Sequence, residues 1–247
     1  MNPFARQELR LGGRTDEAKR GVDEFAGEAH IMMRRAIVCV ATGERYGRGL
    51  DRLITTLDKM DPHSIRCFSR AIPNGWPAHE EKPYAFKAFA LWEERTADLL
   101  LWCDASMIAI RPLQSLWDRI QREGFWMDVN TAWSNYEWTA DSAYADLFPE
   151  LRLEEARKVS RTIPHGQSSA FGMNLASPVG ATFLREFYRL ASETNAFCGP
   201  RTNVNGNCGP PDVIGHRQDQ TVATVLAWRL GIKLSGCDEL LIDRTFR

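Results

Sequence analysis

From Ala36 onward the chain alternates short apolar runs with stretches whose apolar residues recur every three or four positions. Ala36-Ile-Val-Cys-Val-Ala41 is a continuous apolar run closed by Thr42-Gly43, the pattern of a strand buried on both faces. Leu50, Leu53, Ile54, Leu57 and Met60 follow at helical spacing. Ile65–Ser69 reads as a second strand. Pro83 is placed to open a helix over 84–97 that sets Phe86, Phe89 and Ala90 on one side. Leu99–Cys103 is the most hydrophobic strand. An amphipathic helix marked by Leu113, Leu116, Trp117 and Ile120 comes next, then a strand over 125–129.

The second half is looser. The spacing predicts a helix near 151–159 and a strand over 169–176, then a helix opened by Ser177-Pro178 that carries Phe183, Leu184, Phe187 and Leu190. A Gly/Asn/Pro-rich loop spans 195–215, a length that is uncommon unless the loop has a function or is disordered. The last helix, over 219–230, presents Val222, Val225, Leu226 and Leu230. Alternating β and α units predict one α/β domain with a mainly parallel sheet and helices on both faces. Residues 1–35 are charged and Gly-interrupted, with a short helix around 16–29. They read as an N-terminal extension to a domain over 36–247.

Composition narrows the partners. Thirty-one basic residues against thirty-two acidic ones leave a net charge of −1, so no overall field draws the chain to nucleic acid or anionic lipid. No apolar run of membrane-spanning length occurs, and the charged N-terminus offers no signal core. Six cysteines show no CxxC or zinc-finger spacing. Cys39, Cys67 and Cys103 sit in strand-like runs as small hydrophobes, whereas Cys198 and Cys208 flank the long loop and either pair or stay free. A reducing, cytoplasmic setting is the economical expectation.

In an open α/β sheet, ligands bind beyond the carboxyl ends of the strands. The apolar strand Leu99–Cys103 runs straight into Asp104-Ala105-Ser106, and a carboxylate there is costly to desolvate unless paired or bound to a cation. Asp104 is therefore either a binding group or a turn-forming Asp. Asp128 ends the next strand and is a candidate second carboxylate for acid/base work, or a surface loop residue. Trp133, Tyr136 and Trp138 cluster in a polar stretch, suited to the apolar faces of sugars or to rim packing. Trp76 lies on the loop after the second strand. Trp102 alternates into the core.

The run of apolar strand, Asp104-Ala105-Ser106, short apolar segment and helix resembles the DxD region of GT-A glycosyltransferases. Lys82-Pro-Tyr-Ala-Phe-Lys-Ala-Phe-Ala-Leu91 is similar to the helix before that region, Ser168-Ser-Ala-Phe-Gly-Met-Asn-Leu175 to the acceptor-side strand, and Gly215-His-Arg-Gln-Asp-Gln220 to a late segment of several such families. The resemblance covers roughly 36–235. It implies a GT-A-like, Rossmann-like domain that moves a sugar from a nucleotide-diphosphate donor to a hydroxyl acceptor on a glycan or other molecule. Mn²⁺ or Mg²⁺ would be held by Asp104 and His216, with Asp219 as the alternative ligand.

The third DxD position is Ser106, so the motif is degenerate. Should no second ligand reach Asp104, cations such as Lys87, Arg111 or Arg217 would stabilise the leaving group instead. Thr42 and Gly43 resemble the place where that family seats the base and ribose, or form a simple turn; Lys87 and Lys82 either reach the phosphates or are solvated on their helix. Trp76, Ser106, Trp133, Trp138 and Gln220 are candidates for substrate binding, and Asp219 and Asp128 for catalytic carboxylates, although Asp219 also stands where a helix would want an N-cap. The alternative is a non-catalytic nucleotide-sugar- or carbohydrate-binding relative of the same fold.

Overall fold

The computed structural model describes residues 33–234 and 241–243, so the helix expected around 16–29 lies outside them. The described residues form β1 (Arg35–Val40), α1 (Gly43–Met60), β2 (Ile65–Ser69), α2 (Phe86–Glu93), β3 (Leu99–Cys103) and β4 (Met107–Ala109). Then come α3 (Gln114–Glu123), β5 (Phe125–Ser134), α4 (Asp141–Leu147), α5 (Leu153–Ser160), β6 (Pro164–Asn174), α6 (Pro178–Glu193), α7 (Gln218–Arg229) and β7 (Leu241–Asp243). The central sheet has the order β2-β1-β3-β6-β5, and β4 pairs with β7 in a separate ribbon.

β1, β2 and β3 are parallel, with Ala36 opposite both Ile65 and Leu100. β6 runs against β3 and β5 runs against β6, which leaves β5 aligned with the first three. Only β6 is reversed, so the mainly parallel sheet predicted from the apolar runs is what forms.

Alternation along the strands divides the core in two. Ile37, Cys39, Leu101 and Cys103 face Leu50, Leu53 and Leu57 of α1 and Leu116, Trp117 and Ile120 of α3. Ala36, Val38, Leu100 and Trp102 face Leu91 of α2, Phe183 and Phe187 of α6, and Val222 and Leu226 of α7. Helices thus cover both faces, and each fully buried Leu or Phe adds about 1.5–3 kcal/mol of burial. Ser177 caps α6 as its sequence suggested, accepting the Gly180 N–H at 3.1 Å, with Pro178 in the first turn. Among the described residues no helix is long and apolar enough to cross a membrane.

Several elements differ from expectation. α2 is shorter than 84–97 and does not start at Pro83, because Tyr84 takes a left-handed φ of 61° that a helix cannot contain. β5 and β6 are longer than their apolar runs; β6 begins at Pro164, since pairing with β5 extends beyond the hydrophobic stretch. α4 gave no readable period over its two turns, and it is tied to α5 by the Arg157–Asp141 ion pair. Cys198 and Cys208 are free thiols that donate to the carbonyls of Glu81 and Pro200, so the pairing left open in the sequence does not form.

Lys82, considered for phosphate contact, does something else. Its ammonium donates to the carbonyls of Ala191, Ser192 and Thr194 at 3.0, 3.3 and 2.9 Å, closing the C-terminal end of α6. Those carbonyls have no intrahelical donor and carry the negative end of the helix dipole. Lys82→Met should therefore lower the unfolding free energy by about 1–2 kcal/mol in urea denaturation and leave ligand affinity unchanged.

Candidate active site

The site is built around one buried ammonium. Lys87 projects from the first turn of α2 into the space under the carboxyl end of β3, where its side chain is 3% exposed. Its Nζ lies 2.8 Å from Asp104 Oδ1 and 2.8 Å from Asp219 Oδ2, and it donates to the Ser168 carbonyl at 3.1 Å. An ammonium has three N–H donors. All three are committed.

The carboxylates are fixed from other sides as well. Trp102 Nε1 donates to Asp104 Oδ1 at 2.7 Å, and Ser168 Oγ donates to Asp219 Oδ2 at 2.5 Å. Asp104 Oδ1 is thus filled twice, while Oδ2 is left for a ligand on a side chain that is 29% exposed. The Asp219 side chain is only 6% exposed. Burial works to lower the Lys87 pKa, but Asp104 and then Asp219 outweigh it and hold the ammonium above the ordinary lysine range. Burial likewise raises Asp104, against the pull of Lys87 and Trp102. One cation between two anions leaves the cluster with a charge of −1.

The other sequence candidates divide by position. Thr42 and Trp76 line a cavity of about 360 Å³ with Asn74 and His79, beyond the ends of β1 and β2. Gly43 adjoins it at the start of α1 with φ 76°, a conformation that suits glycine. Trp133 packs against Trp138 with ring centroids 4.7 Å apart, and the Arg217 guanidinium lies 4.4 Å above Trp138 and 5.6 Å above Trp133. Gln220 donates to the Gly166 carbonyl at 2.6 Å, which ties α7 to β6. Ser106 is buried in the turn after β3, and its carbonyl accepts from Arg52. Asp128 lies on β5 opposite Gln167; side chains alternate along a strand, so it faces away from the side on which Ser168 meets Asp219.

His216 is fully buried, and both its ring nitrogens are used. Nδ1 accepts from the Ala140 N–H at 3.2 Å and Nε2 donates to the Ala196 carbonyl at 3.0 Å. Burial holds its pKa down at about 4. Among the described residues no three His, Cys, Asp or Glu side chains gather to hold a metal ion. The Mn²⁺ or Mg²⁺ implied by the GT-A resemblance does not fit these residues. The space between Asp104 and Asp219 is filled by the Lys87 ammonium, and His216 has no free nitrogen.

Sequence reasoning missed three groups. Trp102 was assigned to the core alone, yet it lies two residues before Asp104 and so on the same side of the chain, a signal that was available. Ser168 and the left-handed Tyr84 that aims α2 carried none, because one depends on where β6 and α7 meet and the other on a backbone conformation that sequence does not announce.

No family model matches the chain, and no curated protein matches it. Similar solved structures include mouse xyloside xylosyltransferase 1 in its apo form (TM-score 0.45, 9% identity, covering 83% of this chain and 85% of that one). Galactosyltransferase LgtC in complex with donor and acceptor sugar analogues gives a TM-score of 0.42 at 13% identity, covering 81% and 73%. Glycosyltransferase GlyE of Streptococcus pneumoniae gives 0.43 at 11% identity, covering 84% of this chain and 46% of that one. By their names all three are sugar-transferring enzymes, and each likeness lies below a TM-score of 0.5.

Two stability effects follow from this geometry. Lys87→Met leaves two carboxylates without their cation and should cost about 3–5 kcal/mol at neutral pH, with Lys87→Met/Asp104→Asn recovering part of the loss in the same denaturation assay. His216 and His165 are both buried and neutral, with burial holding them at about 4 and about 3 against 6.5 unfolded. The unfolded chain therefore takes up protons first as the pH falls below 6.5. Stability should drop from pH 6.5 toward 4 by roughly 1.4 kcal/mol per histidine per pH unit, and His216→Asn should flatten that slope in a pH series of melting curves.

Proposed function

We propose that the chain is a glycosyltransferase that moves a sugar from a nucleoside-diphosphate sugar to a hydroxyl acceptor. The observation that carries this reading is the Asp104–Lys87–Asp219 cluster at the carboxyl end of the central strand β3, on the same edge of the sheet as the cavity that follows β1 and β2. Crevices at this position in an α/β sheet are where nucleotide ligands bind.

In this reading Thr42, Gly43 and Trp76 receive the base and ribose. The free Oδ2 of Asp104 accepts a hydroxyl of the donor sugar, so the anomeric carbon is held at a fixed place over the sheet. Lys87 does not touch the substrate. It opposes the rise that burial imposes on the Asp104 pKa and orients the carboxylate, and is a positioning residue, as is Asp219 through Ser168. Gln220 is half exposed next to Asp219, with its amide nitrogen tied to Gly166 and its oxygen available to the transferring sugar. Trp138 is buried beneath the Arg217 guanidinium and so is not open to a sugar as its sequence suggested, which leaves the half-buried Trp133 as the apolar platform for the C–H faces of an acceptor. Asp128, on the far side of β6, contributes no acid or base to this cluster.

No step here is assigned to a divalent cation. The rate gain expected is that of orientation and of charge placed for the departing diphosphate.

A thermal-shift screen of UDP-, GDP-, dTDP- and CMP-sugars tests the reading. A ligand at a hundredfold excess over its Kd raises stability by about 2.7 kcal/mol, and one donor should give such a shift. With that donor, Asp104→Asn should lower sugar transfer at least a hundredfold without a loss of melting temperature beyond a few degrees. Silence across the panel would remove the donor assignment. A shift with no transfer to any hydroxyl acceptor would make the chain a nucleotide-sugar-binding relative.

A further inference from the structure

A departing nucleoside diphosphate gains negative charge as the glycosidic bond breaks, and something must meet it. The Lys87 cluster cannot. Its net charge is negative, its ammonium is buried, and all three N–H groups are committed. Positive charge exists instead on the other side of Asp219, at the end of the 195–215 loop.

Two arginines lie there. Arg217 immediately precedes α7, two residues before Asp219, and its guanidinium is laid over Trp138. Its Nε is buried without a hydrogen-bond partner. Arg201 is exposed and stands beside it because the two ends of the loop run together: the His216 N–H donates to the Pro200 carbonyl at 2.8 Å and the Asn203 N–H to the Ile214 carbonyl at 2.8 Å. Gly215 lets them approach so closely, since a Cβ there would lie 2.0 Å from the Arg201 carbonyl oxygen. Neither arginine forms a salt bridge with a carboxylate among the described residues. Burial, and then the charge of Arg201, holds the Arg217 guanidinium below the usual arginine range.

Tyr84 completes the group. Lys87 Nζ is 5.5 Å from its ring, and the charge of Arg201 also acts on its hydroxyl. Its left-handed φ of 61° is a strained conformation for a tyrosine, of the kind found where the surrounding fold holds a side chain in place for a ligand. No hydrogen bond is made by its hydroxyl among the described residues. The Arg201 and Arg217 charges oppose each other, and an anion bound by both would relieve that opposition. Guanidinium forks suit phosphate oxygens best.

We propose that Arg201 and Arg217, with the Tyr84 hydroxyl, form the diphosphate site of this crevice, so that donor and product bind without a divalent cation. The inference rests on the donor class in the proposed function and adds the group that bears the leaving charge. Lys87 occupies the place between the carboxylates that a metal would need, and the arginines supply the charge outside it.

Isothermal titration of UDP, GDP and inorganic diphosphate into the full chain, first in EDTA and then in Mn²⁺, tests it. At least one nucleoside diphosphate should bind in EDTA, with a Kd that changes less than twofold when Mn²⁺ is supplied. Arg201→Ala and Arg217→Gln should each weaken that binding at least tenfold, with melting curves confirming that both variants fold. Arg201 is exposed, so its variant carries little risk to the fold. Binding that needs Mn²⁺, or an Arg201→Ala variant that keeps the wild-type Kd, overturns the inference and leaves the glycosyltransferase reading standing. Absence of binding by every nucleoside diphosphate in both conditions overturns the two together.

Discussion

One ammonium between two carboxylates is the constraint on which the centre of this molecule depends. Lys87 comes from α2, Asp104 from the end of β3, Ser168 from β6 and Asp219 from α7, so the cluster assembles only when four elements are in place. A bare charge in this space would cost several kcal/mol. Each member is therefore stable only because the others are there. The hydrophobic faces bring α2 and α7 to the same side of the sheet through Leu91, Val222 and Leu226, but apolar packing alone tolerates sliding. Three bonds at 2.8–3.1 Å from one nitrogen do not.

The backbone around the cluster shows how that requirement is met. Tyr84 and Gln218 have φ of 61° and 36°, and each lies within three residues of a cluster member. These are the residues that turn the chain into α2 and α7 at the angle that aims Lys87 and Asp219 inward. Strain of this kind persists only where the surroundings over-determine it. His216 contributes from behind: with one ring nitrogen on the Ala140 N–H and the other on the Ala196 carbonyl, it joins the entry to α4 and the segment after α6 to the start of α7. A histidine that looked like a ligand in the sequence is a cross-brace in the fold.

How much of this could be read from the sequence follows from the range of each interaction. The strand ending in Asp104, the helix carrying Lys87 and the helix start at Asp219 were legible because apolar period and strand ends are local features. The order β2-β1-β3 was not, since it is set by which strands pair. What β6 does was hidden, since its direction is set by pairing with β3 and β5 and not by its own residues. Ionic partners were hidden for the same reason: Lys87 and Asp219 are 132 positions apart, and nothing nearby in sequence marks either as paired. Lys82 and Lys87 stand five residues apart in the same segment, one capping α6 and the other buried between carboxylates. A single turn of chain separates those roles.

The near-neutral charge of the whole chain takes on a local meaning here. A catalyst for sugar transfer from a diphosphate needs a negative group near the sugar hydroxyls and positive groups near the phosphates, a few ångströms apart. A divalent ion ligated by carboxylates supplies both at once, but only when it is bound. In the proposed reading the chain divides the tasks. Lys87, an internal cation that cannot diffuse away, pulls Asp104 toward its ionised form, and the arginines beside α7 carry no carboxylate partner among the described residues. The polarity of such a site would be set when the chain folds, without an ion from solution. The cost is a net negative centre a short distance from an anionic ligand, which is why the arginines must be two and must be held in place. A single exposed guanidinium would be screened by salt; in the proposed site the Arg217 guanidinium rests on the Trp138 face, and the Gly215 approach brings the Arg201 backbone alongside it before a ligand arrives.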